Sequence, residues 1–595
     1  MNNALLHIEN LSINFVNGDT VTHALQNISL SVNKGEIVAI VGESGSGKSV
    51  TALSVLQLLP TPPAVYKTGT INFNNDGKEI NLLKYTSSEM QELRGSKIAM
   101  IFQEPMTSLN PVKKCGNQVT EAIIIHKKLS TAEAKKQTIQ LFEKVKLPDP
   151  EKIFHKYPHQ ISGGQKQRVM IAMAMSCSPD LLICDEPTTA LDVSVQKNIL
   201  VLIKQLQEQS NMGVIFITHD LGLVSEIADR VAVMYKGKIV EEGNTSAILT
   251  NPQRAYAKAL LACRPSLHKK GERLPVVSDF LREEKKEENK EQDTGYKQQD
   301  TSSKEQEIKQ EDNTQYSIFN TQYPGKEKIQ TLLSVEHLKV WYPSAKTFFG
   351  KVTAYNKAVN NVSFKIYKGE TLGLAGESGC GKTTLGRALL GLIPATEGEI
   401  LFKDKDLSTA TGKEMRLLRK EMQIIFQDPY SSLNPRKKIG QAIAEPLIVH
   451  KLFSTERERK EKVVELMEKV NLNADHYNRY PHEFSGGQRQ RIVIARALAM
   501  EPSFVVCDES VSALDVSVQA QVLNLLNDLK AAFNFTALFI SHDLSVIRYI
   551  SDRIMVMNKG IIEECGNAED IYTNPLHEYT RQLIEAIPGK GLIVQ

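Results

Sequence analysis

Residues 36–59 read EIVAIVGESGSGKSVTALSVLQLL, and GESGSGKS at 42–49 returns as GESGCGKT at 376–383. An apolar β-branched run comes first, then a glycine turn, then a helix-forming stretch. The turn matches G-x-x-x-x-G-K-[ST] in full, twice. Its glycines let backbone N–H groups curl around phosphates, and the following helix N-terminus adds a favourable dipole. The loops are Gly42, Ser44, Gly45 and Gly47, and Gly376, Ser378, Gly379 and Gly381. Lys48 and Lys382 are placed to reach the β- and γ-phosphates of a nucleotide, and Ser49 and Thr383 to ligate Mg²⁺.

The repeat extends outward from the loop. IFQEPMTSLNP at 101–111 recurs as IFQDPYSSLNP at 425–435, and YPHQISGGQKQR at 157–168 as YPHEFSGGQRQR at 480–491. LLICDEPTTALDVSVQ at 181–196 recurs as FVVCDESVSALDVSVQ at 504–519, and FITHDL at 216–221 as FISHDL at 539–544. This is one domain duplicated. The first copy holds about ten extra residues between its glycine loop and IFQ, around Tyr66 to Tyr85. Buried β-branched runs between helical segments predict an α/β fold with a parallel sheet covered on both faces. Ligands then bind at the carboxyl ends of the strands.

Asp185-Glu186 and Asp508-Glu509 end apolar strands. Downstream of a phosphate loop, the first carboxylate is suited to hold Mg²⁺ and the second to polarise the attacking water. An isolated acidic pair in a turn is common. Its repetition at a fixed distance from the other motifs argues for chemistry. Ser162, Gly163, Gly164 and Gln165, with Ser485, Gly486, Gly487 and Gln488, offer hydroxyl and N–H donors at a helix start. Taken alone, each tetrapeptide reads equally well as an ordinary N-cap.

Glycine loop, IFQ, SGGQ, strand-DE, ALD and a terminal His, in this order, resemble the nucleotide-binding domain of ATP-binding cassette (ABC) proteins. The resemblance covers both halves. It implies a RecA-like parallel-sheet core, an antiparallel β subdomain and an α-helical subdomain in each copy. It also implies head-to-tail pairing with two composite sites. One joins Lys48, Ser49, Gln103, Asp185, Glu186 and His219 to Ser485, Gly487 and Asp515. The other joins Lys382, Thr383, Gln427, Asp508, Glu509 and His542 to Ser162, Gly164 and Asp192. By resemblance Gln103 and Gln427 contact Mg²⁺ and the water, and His219 and His542 the γ-phosphate. Asp192 and Asp515 link the sites across the pair. Phe15 and Tyr342 match the aromatic that stacks on adenine, although an edge-strand aromatic in a core reads nearly as well. Two departures stand out. Ile161 and Phe484 occupy a position usually Leu, and Ser510 replaces the proline kept as Pro187, which would loosen the turn after Glu509.

EPMTSLNP and DPYSSLNP resemble the dipeptide, oligopeptide and nickel importer ATPases. So do the YPHxxSGGQ lead-in and the tails NPQRAYAKALLAC (251–263) and NPLHEYTRQLIEAIP (574–588). That resemblance implies permease partners gripped by the segments after Gln103 and Gln427. It further implies a periplasmic or lipid-anchored solute-binding protein acting indirectly, and a peripheral location on the cytoplasmic face of the inner membrane. Two alternatives remain open here: a soluble tandem ATPase acting on ribosomes or DNA, and the ATPase of a sugar-type importer. Relatives that carry a Cys-rich cluster motif in the tail differ from this chain, where Cys263 stands alone in ALLACRP.

Composition narrows the classes. The 595 residues are 41% hydrophobic and 24% charged, in the globular range. Lys plus Arg is 72 against 69 Asp plus Glu, so the net charge of +3 gives no support to a strongly basic nucleic-acid binder and leaves only a local basic patch open. No apolar run approaches a membrane span, and the first residues lack a signal-peptide pattern. Seven cysteines without a CxxC pair fit a reducing compartment and no structural metal, with Cys184 and Cys507 as inert core residues. Residues 281–330 hold nine Lys/Arg and twelve Asp/Glu with few aliphatics, and are expected to form a disordered tether. The expected organisation is a first domain over 1–265, a charged linker over 266–330 and a second domain over 331–595. The less polar piece at 266–280 is expected to pack on the first copy.

Overall fold

The computed structural model describes residues 4–103, 108–189, 191–284, 330–346 and 352–589. Among these residues each half carries one six-stranded and one four-stranded sheet. The six-stranded sheet of the first half runs, in spatial order, Lys238–Asn244, Arg230–Tyr235, Ile37–Val41, Gly213–Thr218, Leu181–Asp185 and Ile98–Ile101. All neighbours are parallel except the first pair. The second half repeats this order with Ile561–Asn567, Arg553–Asn558, Thr371–Ala375, Thr536–Ile540, Phe504–Asp508 and Met422–Ile425.

The strands are continuously apolar because both faces are covered. Along Leu181–Asp185, Leu181 and Ile183 point into the core beneath the four-stranded sheet, with Leu6, Phe73 and Val55. Leu182 and Cys184 point into the other core, with Val119, Phe142 and Val169 of the helical subdomain. Alternation along a strand thus feeds two cores at once. Register then sets the site. Val41 pairs with Thr218, and Asp185 with Ile217. The residues that follow these strand ends, Gly42, Glu186 and His219, therefore leave the sheet at one edge.

The extra residues of the first copy lengthen an inner strand of the four-stranded sheet. Ala64–Asn75 runs along Ala4–Asn17 as far as the Phe15–Ala64 pair. Its counterpart Glu397–Phe402 stops at Lys339–Glu397. The turn after Glu509 is not loosened by Ser510. Glu186 and Glu509 have φ of 45° and 47°, and the N–H of each donates to a strand carbonyl, Ile217 or Ile540, at 3.0 Å. Anchored by its neighbouring strand, the backbone takes the same path without the proline.

One apolar cluster spans the two halves. It unites Val41, Val233, Tyr256 and Leu260 of the first with Leu523, Leu526, Tyr549 and Ile584 of the second. The piece after residue 265 packs on the first copy, where His268 Nε2 lies 2.7 Å from the Ala262 carbonyl oxygen, and on the second as well. Leu274 is buried there, and its backbone N–H and C=O both pair with the Asn524 amide, at 3.0 and 2.8 Å. Tyr549 donates to the Glu272 carbonyl at 2.7 Å, and Arg273 lies 3.1 Å from Asp528. A carboxamide that supplies both a donor and an acceptor is what a buried peptide unit needs. The tether expected at 281–330 falls outside the described residues from 285 to 329. No helix among the described residues is long and apolar enough to cross a membrane.

Candidate active site

Each phosphate loop runs from the end of a central strand into an eight-residue helix, Lys48–Val55 or Lys382–Leu389. Gly42 and Gly376 have φ of 156° and 149°, and a Cβ there would stand 2.1 and 2.2 Å from the carbonyl oxygens of Met234 and Met557. Both conformation and space demand glycine. Lys48 Nζ donates to the carbonyls of Gly42 (2.8 Å) and Glu43 (2.9 Å), and Lys382 Nζ to those of Gly376 (2.7 Å) and Glu377 (2.9 Å). The loop thus curls around its own lysine. Gly42→Ala with Gly376→Ala should weaken ATP binding at least about 30-fold, equivalent to about 2 kcal/mol. Equilibrium dialysis with labelled ATP reads this directly, and unchanged retention would contradict the close approach.

The carboxylates stand beside the loops. Ser49 Oγ donates to Asp185 at 3.1 Å, and Thr383 Oγ1 to Asp508 at 2.9 Å. Burial pushes the Asp185 carboxyl up to about 6 against the pull of Ser49, and raises Asp508 in the same way. Hydroxyl, carboxylate and carboxamide oxygens are hard donors, and Mg²⁺ favours one or two carboxylates completed by phosphate oxygens. Ser49, Asp185 and Gln103, and Thr383, Asp508 and Gln427, fit that ion. Bound there, it would neutralise charge on the β- and γ-phosphate oxygens.

Gln103 Nε2 donates to Glu186 at 3.0 Å and Gln427 Nε2 to Glu509 at 2.6 Å, which leaves each carboxamide oxygen for a cation or water. His219 Nδ1 lies 3.4 Å from Glu186, at ion-pair range but without hydrogen-bond alignment. His542 Nδ1 is 3.7 Å from Glu509. Burial pushes Glu186 up, yet His219, the Thr189 hydroxyl and Lys48 together hold it down at about 2. Glu509 is lowered by the same balance, with His542 and Lys382 outweighing burial. Burial pulls both histidines down, and the neighbouring carboxylates outweigh it and raise them. The left-handed backbone at both glutamates is a strained conformation for a non-glycine residue, of the kind found at functional sites. Thr189, missed in the sequence, donates to Glu186 at 2.9 Å. Its counterpart Ser512 has a buried hydroxyl without a hydrogen-bond partner among the described residues.

The tetrapeptides are N-caps by local geometry. Ser162 caps the helix Gly163–Ala174 in a capping box with Gln165, and Ser485 caps Gly486–Leu498 with Gln488. Gly164 and Gly487 permit close packing, since a Cβ would meet Val195 at 2.8 Å and Val518 at 2.4 Å. Those valines lie on the helices that Asp192 and Asp515 begin. Each aspartate reaches the opposite half. Ser44 N–H donates to Asp515 at 2.6 Å, and Ser378 N–H to Asp192 at 2.6 Å. His219 Nδ1 is 3.9 Å from Asp515. Each capped helix is therefore packed against an element that touches the other half's phosphate loop.

The two aromatics differ. Phe15 is half-buried against the core beside the lengthened strand, whereas Tyr342 is 39% exposed where that strand is short. Neither Tyr256 nor Tyr579 was singled out in the sequence, yet their hydroxyls accept the N–H of Glu43 (3.0 Å) and Glu377 (3.2 Å). Their equal placement in the repeated tails was the available signal. Cys184 and Cys507 are buried core residues, and burial raises both thiols, Cys507 to about 12.

Two parallel-sheet cores, each presenting a phosphate loop to the other's aspartate, define a tandem P-loop ATPase. The sequence matches the ABC transporter family over residues 25–189 and 359–512. It matches the oligopeptide/dipeptide transporter C-terminal region over 240–290 and 564–591. It is 43% identical over 98% of its length to the glutathione import ATP-binding protein GsiA of Pectobacterium atrosepticum, covering 89% of that protein. The protein of the same name from Escherichia coli K12 is 45% identical, with 98% and 89% covered. A bacterial ABC transporter cassette of known structure, dimeric MJ0796, is 26% identical over 40% of this chain and 98% of its own, with a TM-score of 0.36. The chain belongs to the ABC transporter family. It is the ATP-hydrolysing subunit of an importer, a kind of subunit that works with membrane permease partners.

Proposed function

We propose that the two halves close head to tail on two ATP molecules and thereby energise a permease that imports glutathione or short peptides. The reciprocal contacts of Ser44 with Asp515 and Ser378 with Asp192 carry the reading of two composite sites. The solute class is supported by the tail match over 240–290 and 564–591 and by the relatives' printed function. In this reading Lys48 and Lys382 grip the phosphates. Ser49, Asp185, Thr383 and Asp508 hold Mg²⁺ with help from Gln103 and Gln427. A carboxylate held low is a weak proton acceptor, so Glu186 and Glu509 chiefly orient and polarise the water. Phosphoryl transfer depends more on positioning than on a strong base. His219 and His542, which those carboxylates raise against the pull of burial, offer positive charge to the γ-phosphate when protonated. Phe15 and Tyr342 stack on adenine. Closure drives the permease outward-facing to receive solute from a binding protein, and hydrolysis resets it. The chain sits peripherally on the cytoplasmic membrane face, with domains over 1–265 and 331–595.

The permease would dock on the helical subdomains. Val112 is 80% exposed and Tyr430 is 64% exposed, both in the segments after the glutamines. Apolar side chains displayed in this way suit a protein partner. The test is detergent pull-down of the tagged chain from its own membranes, with uptake of labelled glutathione and dipeptides. Co-purifying multi-span permease subunits support the reading, and recovery of ribosomes or nucleic acid overturns it. Val112→Asp with Tyr430→Asp should reduce permease recovery at least about tenfold, the loss of about 1.4 kcal/mol or more of binding. ATP hydrolysis by the isolated chain should stay within twofold.

A further inference from the structure

In each cassette one acidic residue of the phosphate loop is tied three ways. Glu43 donates its N–H to the Tyr256 hydroxyl at 3.0 Å, from the helix Ala255–Ala262 of its own cassette's tail. Its carbonyl accepts from Lys48 Nζ at 2.9 Å and from the Ser46 N–H at 3.1 Å. Its carboxylate accepts from the Ser517 hydroxyl of the opposite cassette. Glu377 repeats the pattern. Its N–H meets Tyr579 of the helix Glu578–Glu585 at 3.2 Å, its carbonyl meets Lys382 at 2.9 Å, and its carboxylate accepts from Ser194 at 2.5 Å. Tyr256 is buried and packs against Tyr235, with ring centroids 4.3 Å apart, so its hydroxyl is held in place.

We propose that the tail helix is a working part of each ATP site. Tyr256 and Tyr579 are positioning residues that hold the phosphate loop through Glu43 and Glu377. The carboxylates of Glu43 and Glu377 couple the loop to Ser517 and Ser194 across the seam. An acidic side chain beside a triphosphate is repulsive unless it is turned aside and its charge met by a donor. The serine hydroxyl of the other half does both, so closure itself makes the loop a better anion site. The tyrosine fixes the backbone from which that carboxylate hangs, and with it the carbonyl that holds the lysine.

The inference rests on the phosphate-loop assignment, which Lys48→Ala with Lys382→Ala tests separately. Retained ATP binding in that variant would overturn the assignment and this proposal with it. The test proper uses the full chain in steady-state hydrolysis. Tyr256→Phe with Tyr579→Phe should raise KM for ATP about fivefold while kcat stays within twofold and the melting temperature is unchanged. An unmoved KM, or a lowered melting temperature with KM unmoved, reduces the tyrosines to core residues and overturns the proposal. The cross-seam leg is read from paired variants. Glu43→Gln with Ser517→Ala should be no worse than either alone, whereas the effects of Glu43→Gln and Ser194→Ala should multiply. Multiplying effects in the first pair would overturn the coupling.

Discussion

A chain carrying Glu186→Gln together with Glu509→Gln should retain less than about 1% of wild-type ATP hydrolysis, the size of loss expected when a group that positions the reacting water is removed. The substitution keeps the shape of both side chains. Gln103 and Gln427 keep a carbonyl-type acceptor at 3.0 and 2.6 Å, and the backbone hydrogen bonds to Ile217 and Ile540 are untouched. Lys48, Lys382 and both glycine loops remain in place, so ATP still binds. With water no longer polarised, the closed pair cannot reset. Labelled ATP should therefore co-elute with the double variant on gel filtration in the presence of Mg²⁺, and elute as free ADP and phosphate from the wild type. Undiminished turnover would remove both glutamates from the site. Each single variant should keep turnover at the intact site, since the two sets of groups are complete in themselves.

Much of this site was legible in the sequence because its parts are strand ends. Apolar runs ending in Gly42, Asp185 and Thr218 announce both their structure and the edge at which their next residues emerge, and the duplication doubled each signal. What was not legible depended on packing across distance. The insertion could be counted, but its consequence is the pairing of Ala64 with Phe15, which half-buries one aromatic while Tyr342 stays exposed. The lower polarity of residues 266–280 suggested a segment that packs on the first copy. Its seat on the second depends on Asn524, 250 residues away, and on Tyr549, which sequence order does not bring near. Thr189 and Ser512 look equivalent in the repeat, yet the threonine hydroxyl bonds the glutamate and the serine hydroxyl does not. Ser510 looked like a weakness, because a proline lends stiffness. The flanking strands supply the same restraint through hydrogen bonds, and the two turns coincide.

The crossed construction of the sites carries its own expected result. In a chain already bearing Glu186→Gln, all remaining turnover belongs to the site built on Lys382 and Glu509. Asp192→Ala should then remove at least about tenfold of it, because Asp192 accepts the Ser378 N–H at 2.6 Å. Loss of a charged acceptor that fixes the loop leaves a misplaced triphosphate, and small misplacements cost rate steeply. Asp515→Ala in the same background should cost less than twofold, because Asp515 serves the Ser44 loop, already silent, at 2.6 Å. Starting from Glu509→Gln, the two aspartates should exchange roles. Residues of one working unit give non-additive losses, and residues of different units give losses that multiply. Each aspartate stands at the N-cap position of a long helix in its own half, so a merely structural effect would follow the mutated half and give the opposite ranking in each background. The direction of the ranking in each background separates the cases, because an aspartate acting on the opposite cassette's phosphate loop costs most where that cassette's glutamate is still present.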